Sequence, residues 1–287
     1  MLGLLLIALS ALAEESGNAI GKYRISAGLQ SLYMTGFVSS LGGLVLVIFF
    51  VVALPKDLFA SGFPGGFVFA AASLPTLIPR IGLELLQAHL TLRAIVAADR
   101  STFGFLRTLT TPLLLVADIV LGYHIGTSQV SGILLIAASI ALLYAQHGLQ
   151  WRGAGFVLFT AINAVATISL YKFDIAHFNS VGAEQGIVIL AIVVYFFIGA
   201  FYMTRENPFK FVLSPYYILQ FLLGGAAHLL GSFAYLFAPA SVVVTGKRSA
   251  SVLWAILTGN YYFGEKRLFT KLFAFSLVLI GTVLLVI

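Results

Sequence analysis

Two carboxylates side by side in one apolar run, Glu14 and Glu15, and two cations side by side in another, Lys247 and Arg248, have the clearest capacity for chemistry. A carboxylate among apolar residues can take up and release a proton. A Lys-Arg pair can hold an anionic group, the lysine as a point charge and the arginine as a planar fork. Arg80, Glu84, Arg107 and Asp118 stand in similar surroundings. A charge at the centre of a bilayer costs between about 3 and about 10 kcal/mol or more. Each of these residues must therefore face another charge, a cavity or the membrane surface, and each is a functional candidate.

Helical spacing sorts the polar residues into stripes. Ser10, Glu14, Gly17 and Asn18 share one face, and Thr160, Asn163 and Thr167 form another. Arg80, Glu84, Gln87 and Thr91 fall on one arc, as do Tyr217, Gln220, Gly224 and His228. Helices so patterned would line one cavity. The expected contacts to a bound solute are Asn18, Arg80, Glu84, Gln87, Arg107, Asn163, Tyr217, Gln220, His228, Lys247 and Arg248. Plainer roles stand beside these. Arg80 and Glu84, four apart, could neutralise each other, and Arg107 could reach the headgroups. Glu15, turned about 100° from Glu14, could pair elsewhere. The histidines could be interhelical hydrogen-bond partners.

The elements that must position these residues are membrane helices. The 287 residues are 60% hydrophobic and 9% charged, against about 45–50% and about 25% in soluble domains. A bilayer crossing takes about 20 apolar residues. Runs of that kind, bounded by charge, Pro and Gly, fall near 2–21, 31–54, 66–96, 103–123, 129–147, 153–172, 184–203, 211–237, 240–262 and 268–287. Breaks are expected at Phe63-Pro64-Gly65-Gly66, Pro79 and Gly224-Gly225. The opening run imitates a signal peptide ending in Ala11-Leu12-Ala13, but it lacks a basic leader and stays helix-compatible to Lys22, so it is read as an uncleaved span.

The absence of cysteine excludes disulfides, thiolate metal sites and cysteine nucleophiles, and no metal or cofactor is expected. The net charge of +6 lies mostly in short connections and reads as a topology signal rather than a nucleic-acid footprint. Lys22, Arg24, Arg93, Arg100, Arg152, Arg205, Lys210, Lys266 and Arg267 follow odd-numbered spans, against Lys56 after an even one. That bias would place both termini outside the cell.

An internal repeat sets the expected architecture. Ala88-His89-Leu90 matches Ala227-His228-Leu229, and each is followed by an intramembrane basic site, Arg107 or Lys247-Arg248. Leu121-Gly122-Tyr123 through Gly126 parallels Gly259-Asn260-Tyr261 through Gly264-Glu265. The expected fold is all-α, ten transmembrane helices in two five-helix repeats, 1–147 and 148–287. Five is odd, so the second repeat enters the membrane inverted, an arrangement common in transporters.

On these residues the sequence resembles the drug/metabolite transporter superfamily, specifically its ten-helix EamA type. Lys247-Arg248 through Trp254, Gly259, Phe263-Gly264-Glu265-Lys266 and Leu277 to Leu285 carry the likeness. Thr110-Thr111-Pro112 and Gly122 repeat it more weakly in the first half, where Thr127 replaces the turn Glu. Leu12-Ala13-Glu14 with Gly17, Asn18 and Lys22 is similar to the first helix of small multidrug resistance proteins, whose corresponding Glu binds protons and cationic drugs alternately, and this likeness implies Glu14 as the proton-coupling carboxylate. The sixth span departs from that pattern, having Asn163 and no acid. Lys247-Arg248 also resembles the pair with which the plastid sugar-phosphate branch engages phosphate. Many relatives have both termini inside, against the charge bias.

The resemblance implies a secondary transporter, exporter or exchanger, for a small organic metabolite such as an amino acid. It would be a monomer or homodimer in a bacterial or archaeal cell membrane, with the bilayer, a small solute and a proton as partners. Phosphorylated metabolites or organic anions are the alternative cargo. A lipid-acting membrane enzyme and a non-transporting scaffold are the competing classes, although no H-x-x-x-H spacing, nucleophile elbow or G-x-x-x-x-G-K-[ST] loop occurs.

Overall fold

The computed structural model describes residues 2–53, 67–120, 126–146, 151–209, 214–237 and 240–286, and in it the apolar runs are helices. They are α1 (Leu2–Ser26), α2 (Leu32–Ala53), α3 (Leu74–Ala97), α4 (Arg100–Arg107), α5 (Thr110–Val120), α6 (Thr127–Ala145), α7 (Ala154–His177), α8 (Val181–Ile198, continued by a π-helical turn, Gly199–Met203), α9 (Pro215–Phe237), α10 (Ala240–Phe263) and α11 (Leu268–Val286). There is no strand among the described residues. The expected break at Phe63-Pro64-Gly65-Gly66, Lys56, the Leu121–Tyr123 part of the repeat and the side chain of Asp118 lie outside what is described.

Four stretches, Leu32–Val52, Ala154–His177, Val181–Met203 and Pro215–Tyr235, are long and apolar enough to cross a bilayer, and Val130–Ala145 and Leu268–Leu284 are shorter apolar helices. The chain is on this measure a membrane protein. Its surface agrees, since Leu5, Leu9, Phe49, Val52, Ile162, Val194, Phe269 and Ile280 point outward, where a hydrocarbon solvent would receive them. By contrast α1, α3 and α10 are diluted at mid-length by Glu14 and Glu15, Arg80 and Glu84, and Lys247 and Arg248.

Three expectations are corrected. The fourth run is not one helix but two, α4 and α5, because Pro112 has no N–H to give Thr108 and its ring crowds that carbonyl. The chain tightens there, with Thr108 N–H donating to Phe105 O at 3.1 Å and Leu109 N–H to Leu106 O at 3.2 Å. The helix α3 runs unbroken across Pro79. So does α9 across Gly224-Gly225, where the glycines let α9 touch α2: a Cβ on Gly224 would lie 2.7 Å from the Ser39 backbone.

Packing brings distant parts of the chain together. The helix α1 lies on α9 and α10, α2 on α8 and α9, α3 on α7 and α8, α4 on α7 and α10, and α6 on α11. One apolar cluster, including Met34, Phe37, Leu77, Ile189 and Phe196, joins α2, α3 and α8. Another, including Phe105, Leu143, Val252 and Val278, joins α4, α6, α10 and α11. Gly28, at φ +67°, ends α1: its N–H donates to Ile25 O and that of Leu29 to Arg24 O, leaving Lys22 and Arg24 in the last turns of the helix.

The turn between α10 and α11 fastens α4. Glu265 accepts from the N–H of Arg100 at 2.6 Å, from the N–H of Ser101 at 3.3 Å and from the Ser101 hydroxyl, and it pairs with Lys271 at 2.8 Å. A carboxylate there satisfies orphan donors at the positive end of the helix. Burial alone would raise its pKa, but the Lys271 ammonium, the Ser101 hydroxyl and the Arg100 N–H outweigh it and hold the carboxyl below the usual 4.5. A depressed folded-state value means that the stabilisation is present above the unfolded pKa and is lost as pH falls through the folded one. Wild type is therefore expected to melt higher than Glu265→Gln at neutral pH, with the gap closing only below about pH 4.5. A gap independent of pH in melting curves of the two proteins would contradict the assignment.

Candidate solute site

The stripe on α1 faces a cavity of about 320 Å³ lined by α1, α2, α3, α4, α7, α8, α9 and α10. That is the low end of the roughly 300–1,000 Å³ found for ligand pockets, a size for a small metabolite. Glu14 sits in its wall with both oxygens engaged: Arg107 Nη1 donates to Oε1 at 3.1 Å and Lys247 Nζ pairs with Oε2 at 2.7 Å. The Arg107 guanidinium also lies over the Phe103 ring at 4.9 Å. Arg107 is buried against this carboxylate and does not snorkel, so its headgroup role is set aside.

Arg248 lines the same wall, is 5% exposed and makes no ion pair among the described residues. Its neighbour Lys247 takes the nearer carboxylate, as expected for adjacent residues about 100° apart on a helix. Five cations line the cavity, Lys22, Arg80, Arg107, Lys247 and Arg248, against the carboxylates of Glu14 and Glu84. The lining is electropositive.

Arg80 closes one end. Its main partner is Glu184 of α8, and it lies over the Tyr171 ring at 4.5 Å, while Glu84, four residues on, is 4.0 Å away. Asn179 Nδ2 donates to the other oxygen of Glu184 at 2.6 Å. The local i,i+4 pair read from the sequence is thus the weaker of two, and the stronger partner comes from 104 residues along the chain. Glu15 likewise pairs with Arg100, both essentially unexposed, which removes Arg100 from the cations counted toward orientation.

Asn18, Arg80, Glu84, Gln87, Arg107, Gln220, His228, Lys247 and Arg248 all line the cavity with Glu14. Two expected contacts do not. Asn163 lies behind Gln87, donating to Gln87 Oε1 at 2.8 Å and to Leu83 O at 3.0 Å, so it orients a lining residue. Tyr217 stands off the cavity beneath Arg24, whose guanidinium is 4.7 Å from its ring. The spacing put both on polar faces without saying which neighbour each face meets. Tyr171, Gln185 and Tyr235, and the contributions of α2 through Thr35, Ser39 and Ser40, escaped the sequence reading.

Several polar atoms in this lining lack a protein partner: Asn18 Nδ2, Arg80 Nε, Arg107 Nε, Gln220 Nε2 and Arg248 Nε. Every one is a donor. Buried donors without partners are costly, and they leave the lining short of acceptors.

Together the helices and the cavity define a membrane protein with a buried, electropositive chamber. No protein-family model matches the chain, and no curated protein matches it in sequence. Its fold is similar to that of a solved structure described only as the crystal structure of a protein, over 98% of this chain and 96% of that one, at a TM-score of 0.63 and 14% identity. That likeness concerns the fold alone.

Proposed function

We propose that the chain is a secondary transporter for a small organic metabolite bearing an acidic group, such as an amino acid or another organic acid. Its place is a cell membrane, and it works by alternating access. The observation that carries this reading is the cavity in which cations outnumber carboxylates and every fully buried lining atom without a partner among the described residues is a donor. The acid group is held by Arg248 with Lys247 and Arg107, and the ammonium of an amino acid would face Glu84 across the cavity. In this reading ten runs cross the bilayer, α4 and α5 counting as one, in two inverted halves, 1–147 and 148–287. The packing supports it by exchange. As α1 lies on α9, α7 lies on α3; as α2 lies on α9, α8 lies on α3; as α1 lies on α10, α7 lies on α4 and α5. The pairs α2–α8 and α6–α11 join counterparts. Such halves can rock about a shared site.

Counterflow of labelled amino and organic acids into preloaded proteoliposomes tests the function. Saturable exchange is expected for at least one acid, and Arg248→Ala should lower its rate tenfold or more while keeping the wild-type melting curve, since a charge-assisted bond contributes about 1.5–3 kcal/mol. Absence of counterflow for every acid would overturn the transport reading, and turnover to a new compound without vectorial movement would favour an enzyme.

A further inference from the structure

Glu14 stands where a substrate acid group would stand. Both its oxygens are taken, by Arg107 of α4 and Lys247 of α10, and its side chain keeps 20% exposure toward the cavity. Resting on the transport reading above, the geometry points to Glu14 as a built-in stand-in for the cargo's carboxylate, displaced when it takes a proton, so that acid and proton bind together.

The surrounding charges settle the direction of the coupling. Facing Glu14 are Arg107 from α4, Lys247 and Arg248 from α10, His228 and Tyr235 from α9, and Arg80 and Glu84 across the cavity on α3. Lys22 lies two turns along α1, Glu15 on the same helix is occupied by Arg100, and α2 carries no ionisable side chain but Tyr33 at its start. An ionised acid entering beside an ionised Glu14 would set two carboxylates on the same two cations, and like charges at that range repel strongly. One proton from the water of the open cavity converts the Glu14 carboxylate to a neutral carboxyl group and frees Arg107 and Lys247. The cargo carboxylate then takes their hydrogen bonds, and the charge of the chamber is unchanged. A monocarboxylate therefore crosses with one proton and no net charge. The opposite scheme, in which Glu14 exchanges its proton for a cationic cargo, would bring that cation against Arg107 and Lys247.

The test uses purified full-length protein in nanodiscs with formate, lactate, benzoate, alanine and 3-phosphoglycerate as probes, carrying forward the acid that raises the melting temperature most. Its affinity should rise between pH 8 and pH 5.5, by up to about tenfold per pH unit for one linked proton. A pH indicator in weak buffer should record proton uptake on acid binding that approaches one per acid toward the lower end of that range. Glu14→Gln should bind the acid with pH-independent affinity, at least as tightly as wild type at pH 8, and take up none. Affinity that is flat in pH or falls on acidification, or proton uptake that persists in Glu14→Gln, would overturn the coupling while leaving the acid site standing. No melting shift with any probe at any pH would remove the acid site itself and the coupling with it. Should Glu14→Gln not fold, proton uptake by wild type decides alone.

Discussion

Replacing Glu184 with leucine is expected to destabilise the protein by about 3–5 kcal/mol, the cost of leaving a buried charge without its partner. The charge left behind is Arg80, which is 2% exposed and already has its Nε without a hydrogen-bond partner. Glu84 is too far to replace Glu184, at 4.0 Å, and the Tyr171 face supplies only a cation–π contact. The double substitution Arg80→Leu with Glu184→Leu should recover most of the loss, because both desolvation costs vanish together. Reversible unfolding of the four proteins in detergent measures the cycle. A single-mutant loss below about 1 kcal/mol, the range of an exposed pair, would show that the ion pair does not carry the helix contact.

That pair also fixes what opening at this end would require. Arg80 stands on α3 and Glu184 on α8, with Thr76 of α3 donating to Asp174 of α7 beside them and the backbone of Val68 bonded to Ser180 at the start of α8. If the two halves rock, these contacts part as a group. A buried ion pair suits such a joint because it is strong when its geometry is met and falls away steeply when it is not.

How far the sequence discloses this arrangement depends on distance along the chain. Helix positions follow from apolar runs, and the gathering of Glu14, Asn18, Arg80, Glu84, Gln87, Lys247 and Arg248 on cavity-facing stripes follows from the 3.6-residue period. Partners within a helix are equally readable, which is why Arg80–Glu84 was seen. The stronger pairs, Arg80–Glu184 and Glu15–Arg100, span 104 and 85 residues, and no local pattern links them. Glu184 and Arg100 also sit at run boundaries, where a charge reads as the end of a span rather than part of its interior. The split of the fourth run was in principle legible, since Pro112 disables the bond to Thr108 wherever the rest of the chain goes. Gly224-Gly225 was not, because the same two letters serve a helix break and a close helix contact, and only the position of α2 decides between them.

That contact sets the second large effect. A Cβ on Gly42 would fall 2.0 Å from the Phe221 carbonyl oxygen and 3.2 Å from Gly225 N, and a Cβ on Gly225 would fall 2.7 Å from Gly42 O. These neighbours are backbone, so no side-chain rotation relieves the clash and α2 must leave α9. Gly42→Leu is expected to cost at least the upper end of the roughly 1–3 kcal/mol typical of overpacking. Gly82→Ala is its control: it lies inside α3 with nothing within 4 Å of the new Cβ. It should be neutral or stabilising by up to about 1 kcal/mol through helix propensity. Melting temperatures in one detergent compare the two, and equal losses would mean that glycine content rather than backbone contact governs stability. The consequence reaches the chamber, since α9 carries Gln220 and His228 into its wall and α2 carries Thr35, Ser39 and Ser40. With the glycines in place, α2 and α9 lie backbone to backbone across the two proposed halves. If the proposed halves rock, the motion would roll on this contact as its fulcrum, and the Arg80 joint would open and close at its end of the chamber.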